Sequence, residues 1–242
     1  MHVIKSLDNK KIKKLSKLLL KKEREKEKLF LVEGRHLVEE ANKCGVLIEV
    51  IKTEDYDFES AIPTTLVTYD VIKKLTNSVT PQKIIGVVKY LEEQEIGDKI
   101  LILDNIQDPG NLGTIIRSSV AFNVESIVLS RDTVDIYNDK VLRSSEGMIF
   151  HINIIKRDLE SFLEELHTKK YKIYGTKVDG GTKIKDLNID TNKIAIIMGN
   201  EAKGINENLL KKCDDFLYIP MNKKCESLNV GVAASIILYE LF

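Results

Sequence analysis

Residues 218–240 read YIPMNKKCESLNVGVAASIILYE, and the rest of the chain must fold around this stretch. It begins at the end of a short apolar strand, 216–219, which Pro220 stops because proline cannot donate to a strand ladder. A polar turn then leads past Ser227, the predicted N-cap, into a helix that is apolar nearly all round. Such a helix has no polar face to offer to water. It therefore needs a slot inside the fold or a second subunit to cover it.

The length and charge of the chain set the first limits on its class. Its 242 residues are enough for one large domain or two small ones with a real core. Lys+Arg and Asp+Glu both number 37, so the net charge does not indicate a polyanionic partner. The distribution does, because residues 1–28 hold eleven basic and four acidic side chains, a local charge of +7. This run is either a solvated helix face or an arm that attracts phosphate.

Cysteine usage and hydropathy favour a cytoplasmic protein. The three cysteines lack C-x-x-C spacing, which fits a reducing compartment and argues against a disulfide framework or a metal site. The first 20 residues show no signal peptide. No run of about 18 apolar residues is present, so no membrane span is expected.

The first 90 residues predict a small α/β unit. A basic helix over 8–28 precedes a short apolar segment, 30–32, and a helix over 37–44 is ended by Gly45. The remaining predicted elements of this unit are strands at 46–51, 66–68 and 84–90 and a helix at 70–75. The acidic stretch 91–98 reads as a linker, so the predicted domains are 1–93 and 98–242.

From residue 99 onward, strands and helices alternate. The predicted strands are 100–103, 126–129, 150–154, 173–176, 194–198 and 216–219. The predicted helices between and after them are 111–122, 138–145, 159–167, 206–213 and the C-terminal helix. This alternation indicates a mainly parallel sheet with helices on both faces, in which ligands lie beyond the carboxyl ends of the strands.

Three polar or glycine-containing turns follow predicted strands, at 104–119, at 198–205 and in the stretch 218–240 quoted above. Gly199 and Gly204 have the outer spacing of a P-loop, but Lys203 precedes the second glycine, so an NTPase is disfavoured. G-x-G-x-x-G is absent, which counts against a nicotinamide oxidoreductase. The first two turns contain no histidine or cysteine, so they lack the residues that a Ser-His-Asp or Cys-His catalytic site requires.

The three turns are similar to the three motifs of the SpoU/TrmH class of RNA ribose 2′-O-methyltransferases in the SPOUT superfamily. The matching segments are NLGTIIR at 111–117, IMGNEAKG at 197–204, and IPM at 219–221 followed by ESLNV at 226–230. RSSEG at 143–147 before FHI at 150–152, and FLVEG at 30–34, extend the resemblance over essentially the whole chain.

This resemblance implies an α/β fold with a mainly parallel sheet and a C-terminal trefoil knot. It also implies a small N-terminal α/β domain, similar to a ribosomal protein, that binds the substrate. The methyl donor would be S-adenosylmethionine and the acceptor a ribose 2′-hydroxyl of RNA, with rRNA favoured and tRNA the alternative. The class further implies a homodimer formed through the methyltransferase domain, with the cofactor pocket near the interface.

The resemblance also assigns five catalytic positions. Arg117 would grip the flanking phosphate and stabilise the forming alkoxide, since an arginine is a poor base; a surface salt bridge is the alternative. Asn111 would cap its helix and line the RNA site. Glu201 would hold Arg117 or shape the knot loop, or be a solvated acid. Ser227 and Asn229 would contact RNA or position the loops, with helix capping as the alternative.

Seven positions are predicted to hold the cofactor: Met198, Gly199, Asn200, Gly204, Ile219, Met221 and Leu228. The two glycines permit close approach of backbone to ligand. Apolar Ile219, Met221 and Leu228 suit an adenine pocket, with ordinary core as the alternative. The chain departs from the class at Lys223, where glycine is usual, and at Gly231, where serine is frequent.

A non-catalytic RNA-binding module on the same fold is the rival hypothesis. The basic N-terminal arm supports it, because lysines contact phosphate whether or not chemistry follows.

Overall fold

The computed structural model describes residues 3–187 and 191–242, and these form two compact units. The first comprises Met1–Glu92 and Tyr137–Phe150, and the second Glu93–Ile136 and His151–Phe242. The segment Tyr137–Phe150 packs with the first unit although the chain on both sides of it belongs to the second. The division is therefore not a single cut in the sequence.

The first unit is a mixed α/β layer. Its elements, numbered along the whole chain, are α1 (Lys10–Ser16), α2 (Lys21–Glu27), β1 (Leu29–Glu33), α3 (Arg35–Lys43), β2 (Leu47–Thr53), β3 (Thr64–Val67), α4 (Tyr69–Lys74), β4 (Ile84–Lys89) and α6 (Asp139–Ser144). Its described strands lie in the order β1-β4-β2-β3. β4 is antiparallel to both β1 and β2, while β3 runs parallel to β2.

The prediction of one basic helix over 8–28 is wrong, because two helices occupy this range. A 3-10 turn at Lys17–Leu19 separates them, and Leu20 has extended backbone. Arg24 stabilises the break: its guanidinium, mostly buried, donates to the carbonyls of Leu18 and Leu19, each at 2.9 Å. The buried arginine therefore supplies donors to two carbonyls of the 3-10 turn between the helices.

An aromatic cluster explains why Tyr137–Phe150 belongs to the first unit. The ring of Tyr137 lies 4.4 Å from that of Phe30 and 4.2 Å from that of Tyr90, centroid to centroid. Its hydroxyl accepts a hydrogen bond from the backbone N–H of Leu91 at 3.0 Å. The hydroxyl is thereby satisfied while the ring adds to the apolar interior.

The second unit confirms the predicted parallel sheet. Its elements are β5 (Lys99–Leu103), α5 (Pro109–Ala121), β6 (Ser126–Leu129), β7 (Asn153–Lys156), α7 (Leu159–Thr168), β8 (Lys172–Thr176), β9 (Thr182–Lys183), β10 (Ile194–Met198), α8 (Glu207–Leu210), β11 (Asp215–Tyr218) and α9 (Val230–Leu241). Within the described residues, seven parallel strands lie in the order β7-β6-β5-β10-β8-β11-β9. Every residue of the central strand β10 is buried, as its unbroken apolar sequence requires.

One predicted strand is displaced. The sequence predicts a strand at 150–154. The structure has a 3-10 turn at Met148–His151, and the strand begins later, at Asn153–Lys156. Gly147 before the turn has φ +77° and its carbonyl accepts from the N–H of Phe150 at 3.1 Å. The left-handed glycine starts a turn where the apolar residues alone indicated a strand.

None of the three cysteines, which all lie among the described residues, forms a disulfide. Burial raises the pKa of the Cys213 thiol to about 11, so this side chain stays protonated and unreactive. Across residues 3–187 and 191–242, the chain contains no helix with the length and apolar character needed to cross a membrane.

Candidate functional site

The carboxyl ends of neighbouring strands in the second unit open onto one cavity. Register pairs the last residues of β10 and β5, Met198 with Leu103, and Leu217 of β11 with Thr176 of β8, so these ends share one edge of the sheet. The cavity has a volume of about 620 Å³. Ligand pockets typically enclose roughly 300–1,000 Å³, so a nucleoside-sized molecule fits.

All seven residues predicted to hold the cofactor line this cavity: Met198, Gly199, Asn200, Gly204, Ile219, Met221 and Leu228. Ile219, Met221 and Leu228 are only half-buried, so they are cavity walls and not ordinary core. The lining also includes Glu201 and Ser227 from the predicted catalytic set.

The loop after β10 closes on itself. The N–H of Asn200 donates to the carbonyl of Gly204 at 3.0 Å, and the N–H of Gly204 donates back to Asn200 at 2.9 Å. A Cβ on Gly199 would stand 2.2 Å from the carbonyl carbon of Gly204 and 2.3 Å from the nitrogen of Ile205. Because those atoms are backbone, only glycine permits this loop, and the loop presents main chain to the cavity.

Side chains and backbone tie this loop to the end of β5. The Asn200 amide donates to the carbonyl of Asn105 at 2.8 Å, while its oxygen accepts from the N–H of Ala202 at 3.0 Å. Asp104 accepts from the N–H of Asn206 at 2.8 Å. Burial raises the pKa of Asp104, and the Asn206 hydrogen bond opposes that shift. The loops that follow the adjacent strands β5 and β10 are therefore joined at the edge of the cavity.

Asn111 is not the cap of α5, contrary to the prediction. The helix begins at Pro109, and Asp108 is the N-cap, accepting from the N–H of Asn111 at 2.8 Å. Proline at the first helical position needs no N–H partner, so Asp108-Pro109 starts the helix efficiently. The Asn111 side chain is left for other contacts.

Those contacts join three segments of the sequence. The Asn111 amide nitrogen donates to a carboxylate oxygen of Glu201 at 3.0 Å. Its oxygen accepts from the amide nitrogen of Asn229 at 2.8 Å. Residues predicted from three separate motifs thus form one hydrogen-bonded chain, Glu201–Asn111–Asn229, here called the motif bridge.

Asn229, and not Ser227, is the N-cap of α9, so that part of the prediction is wrong. The Asn229 oxygen accepts from the N–H of Gly231 at 2.9 Å and of Val232 at 3.2 Å. Asn229 therefore caps the helix and bridges to Asn111 with different atoms. Ser227 is exposed on the cavity wall, where its carbonyl accepts from the Cys225 thiol at 3.3 Å.

Arg117 is exposed on α5 and makes no hydrogen bond or ion pair with the residues that the structure describes. The salt-bridge alternative is not observed, and Glu201 bonds to Asn111 instead of holding the guanidinium. Arg117 and Asn229 are not among the residues lining the cavity. The structure thus leaves the Arg117 guanidinium available to an anionic ligand.

The loop after β8 is a cavity wall that the sequence prediction missed. Thr176, Lys177, Val178 and Asp179 line the cavity, and two glycines with positive φ follow them. The Lys177 ammonium lies 3.5 Å from the centroid of the Phe216 ring, which fixes the loop against β11. A polar, glycine-containing turn after the predicted strand 173–176 was the available signal.

Comparisons with known proteins agree with this geometry. Residues 98–239 match the model of the SpoU rRNA methylase family, and residues 9–86 match that of the MRM3-like substrate binding domain. The chain is 40% identical, over 100% of its length and 99% of the relative, to the 23S rRNA (guanosine(2553)-2′-O)-methyltransferase RlmP of Bacillus subtilis (strain 168).

Solved structures resemble the chain over nearly its full length. The crystal structure of an RNA 2′-O ribose methyltransferase superposes with a TM-score of 0.85 at 28% identity, covering 99% of this chain and 97% of that one. The AdoMet-bound rRNA methyltransferase from Sinorhizobium meliloti has a TM-score of 0.86 at 25% identity, with coverages of 99% and 96%.

Proposed function

The chain belongs to the SpoU rRNA methylase family, and on that premise we propose which of its residues carry out methyl transfer and on which RNA. It is an RNA ribose 2′-O-methyltransferase that uses S-adenosylmethionine. The motif bridge is the observation that supports the site most strongly. Three segments far apart in the sequence meet there, next to a cavity of suitable size.

The cofactor cavity would hold S-adenosylmethionine through main chain and apolar contacts. The glycine loop after β10 offers backbone groups at close range, and Ile219, Met221 and Leu228 offer a surface for the adenine ring. S-adenosylmethionine supplies an electrophilic methyl group. The role of the cavity is to hold that group in one orientation and keep bulk water away from it.

Arg117 would bind the phosphate next to the target ribose and stabilise the negative charge that develops on the 2′-oxygen. A guanidinium is a planar cation with hydrogen-bond donors and no acceptor, so the proposed role is that of an electrostatic group and not of the base. Its lack of a partner in the described part of the chain leaves its donors free for that contact. The motif bridge holds α5, which carries Arg117, against the loops that line the cavity.

Ribosomal RNA of the large subunit is the proposed substrate. The 40% identity to RlmP spans both units, and the first unit matches a substrate-binding model. We therefore place the target at the guanosine that corresponds to the one named for RlmP. An rRNA substrate and three cysteines that form no disulfide in the described residues also fit action in the cytoplasm.

A homodimer, formed through the second unit, is the proposed assembly. α9 exposes Val232 (47%) and Tyr239 (69%), with half-buried Ile236 between them. Spacings of four and three residues place these side chains on one face of the helix. We also propose the C-terminal trefoil knot that the resemblance implies.

Arg117→Ala tests the catalytic assignment. With labelled S-adenosylmethionine and 23S rRNA, we expect kcat to fall about 10²–10³-fold, the usual effect of removing one donor to a developing oxyanion. Cofactor affinity, measured by calorimetry, should not change, because Arg117 does not line the cavity.

Arg157→Ala is the matched control, since Arg157 is an arginine of the same unit that pairs with Glu93 at 2.8 Å. It should retain wild-type kcat. Equal activity of the two variants would exclude Arg117 from catalysis. A wild-type chain that binds cofactor but methylates no RNA would support the non-catalytic rival. Methyl mapping of rRNA from cells with and without the gene identifies the nucleotide.

A further inference from the structure

The charge run near the N-terminus forms a defined groove in the first unit. The groove lies between α1 and α2 and has a volume of about 360 Å³. Five lysines and two glutamates line it, a net charge of +3: Lys10, Lys13, Lys14, Lys17, Lys26, Glu23 and Glu27. It is called the lysine groove below.

Helical spacing produces the groove. Lysines at 10, 13, 14 and 17 recur at intervals of three and four, so they share one side of α1 and the turn that follows. Ile12 and Leu15 face the other way and are buried in the core of the unit. At a rise of about 1.5 Å per residue, the lysines extend over about 10 Å, enough to follow a nucleic acid strand past more than one phosphate.

The groove has more positive charge than its own acids neutralise. Glu27 bonds to Lys14 at 2.8 Å and lies 4.0 Å from Lys26. Lys10 and Lys17 have no ion-pair partner among the residues described. The Lys14 hydrogen bond and the surrounding lysines lower the pKa of Glu27, as expected in a positive field.

The positive charge of the chain is concentrated near its N-terminus. The whole sequence has zero net charge, whereas residues 1–28 carry +7. Lysines that serve only solubility can be distributed over the whole surface. These lysines instead line a concave surface between two helices. A concave surface with unpaired ammonium groups suits an extended polyanion, because each group neutralises one phosphate and releases counterions.

We propose that the lysine groove binds the phosphate backbone of the substrate RNA. This inference rests on the proposed function and adds to it a binding site in the first unit. Phosphate contacts position an RNA without reading its bases. The groove therefore supplies affinity, and selection of the nucleotide is left to other contacts.

The test neutralises three lysines that the fold does not need. The groove variant is Lys10→Gln/Lys17→Gln/Lys26→Gln, which preserves the Lys14–Glu27 pair; glutamine has a helix propensity close to that of lysine. The control variant, Lys73→Gln/Lys83→Gln/Lys169→Gln, removes three exposed lysines elsewhere. Circular dichroism checks that both full-length chains fold.

Filter binding to a 23S rRNA fragment at several salt concentrations gives the main result. The slope of log K against log salt should be shallower by about 2 in the groove variant, the value for three lost contacts to a single strand, so binding near 0.1 M salt should be on the order of 100-fold weaker. An unrelated RNA of equal length should lose as much. The kcat at saturating RNA should be unchanged, and the control variant should match wild type.

Three outcomes would overturn the proposal: wild-type affinity in the groove variant, an unchanged salt slope, or a loss limited to the rRNA fragment, which would indicate base contacts. Failure of the proposed function is separate. In that case the wild-type chain would methylate no RNA, while the binding comparison would still report on the groove.

Discussion

The amide of Asn111 lies between a carboxylate and a second amide that come 90 and 118 positions later in the chain. Both of its polar atoms are used, and neither contact is within its own helix. At about 0.5–1.5 kcal/mol for each hydrogen bond, this side chain contributes only modestly to stability. Its larger effect is on position, since it sets α5 relative to the loops of the cavity.

Asn111→Ala should therefore cost activity more than stability. We expect the free energy of unfolding to fall by about 1–2 kcal/mol, for two lost hydrogen bonds. We expect kcat to fall on the order of 10–100-fold, because a small misplacement of a catalytic group is costly. Chemical denaturation and the methyl-transfer assay measure the two quantities.

Asn208→Ala is the control, because Asn208 also donates to an exposed glutamate, Glu160 at 3.1 Å, but away from the bridge. The double variant Asn111→Ala/Glu201→Ala should lose less activity than the sum of the two single changes, since the residues share one interaction. Strict additivity in kcat would show that the bridge does not act as a unit.

At this scale the sequence named the residues that the fold brings together, but it did not predict which of them cap helices. Asp108 and Asn111, like Ser227 and Asn229, are pairs of residues that can each cap a helix. Pro109 decides the first pair, because it belongs at the first helical position. The second pair is decided by the contact of Asn229 with Asn111, which depends on the folded chain and has no local signal.

The loop after β10 is the element on which the cavity depends. Gly199→Ala would place a methyl group 2.2 Å from the backbone of Gly204, and backbone cannot move aside as a side chain can. We expect the loop to open, with a loss of about 1–3 kcal/mol in stability. Calorimetry should show at least about tenfold weaker binding of S-adenosylmethionine, corresponding to 1.4 kcal/mol.

Ala202→Ser adds one atom to the same loop at an exposed position and serves as the control. It should bind cofactor as the wild type does. If Gly199→Ala also kept full affinity, the close approach of the two backbone segments would not matter for the ligand.

Elements with a strong apolar period could be predicted, and those governed by one side chain could not. The five apolar residues of β10 have only one reasonable place, the centre of a parallel sheet. The break in the basic helix depends on Arg24, whose long side chain turns back to carbonyls five and six positions earlier. The shift of β7 depends on the backbone of Gly147. Neither contact leaves a periodic trace in the sequence.

At the scale of the whole molecule, the proposed homodimer rests on the exposed apolar face of α9. Exposed apolar side chains in a row are characteristic of interfaces. We expect sedimentation to give twice the chain mass of 27.5 kDa for the wild type. Val232→Glu/Tyr239→Glu should give the single mass, because two buried charges in each subunit would oppose association.

Val79→Glu/Tyr69→Glu introduces the same charges at exposed apolar positions of the first unit and should leave the mass unchanged. A wild-type chain that sediments at 27.5 kDa across the micromolar range would rule out the dimer. From the sequence, the apolar character of the last helix predicts that it is covered either by the fold or by a second subunit. Only the fold shows which of its side chains remain uncovered.

The long separation between the members of the motif bridge has a consequence during protein synthesis. A chain released by a premature stop between Phe150 and Asn229 would retain all residues of the first unit and of α5, but Asn111 would lack its contact with Asn229. If the lysine groove acts as proposed, such a fragment would still occupy RNA without modifying it. Unfinished copies would then compete with complete ones for the same RNA.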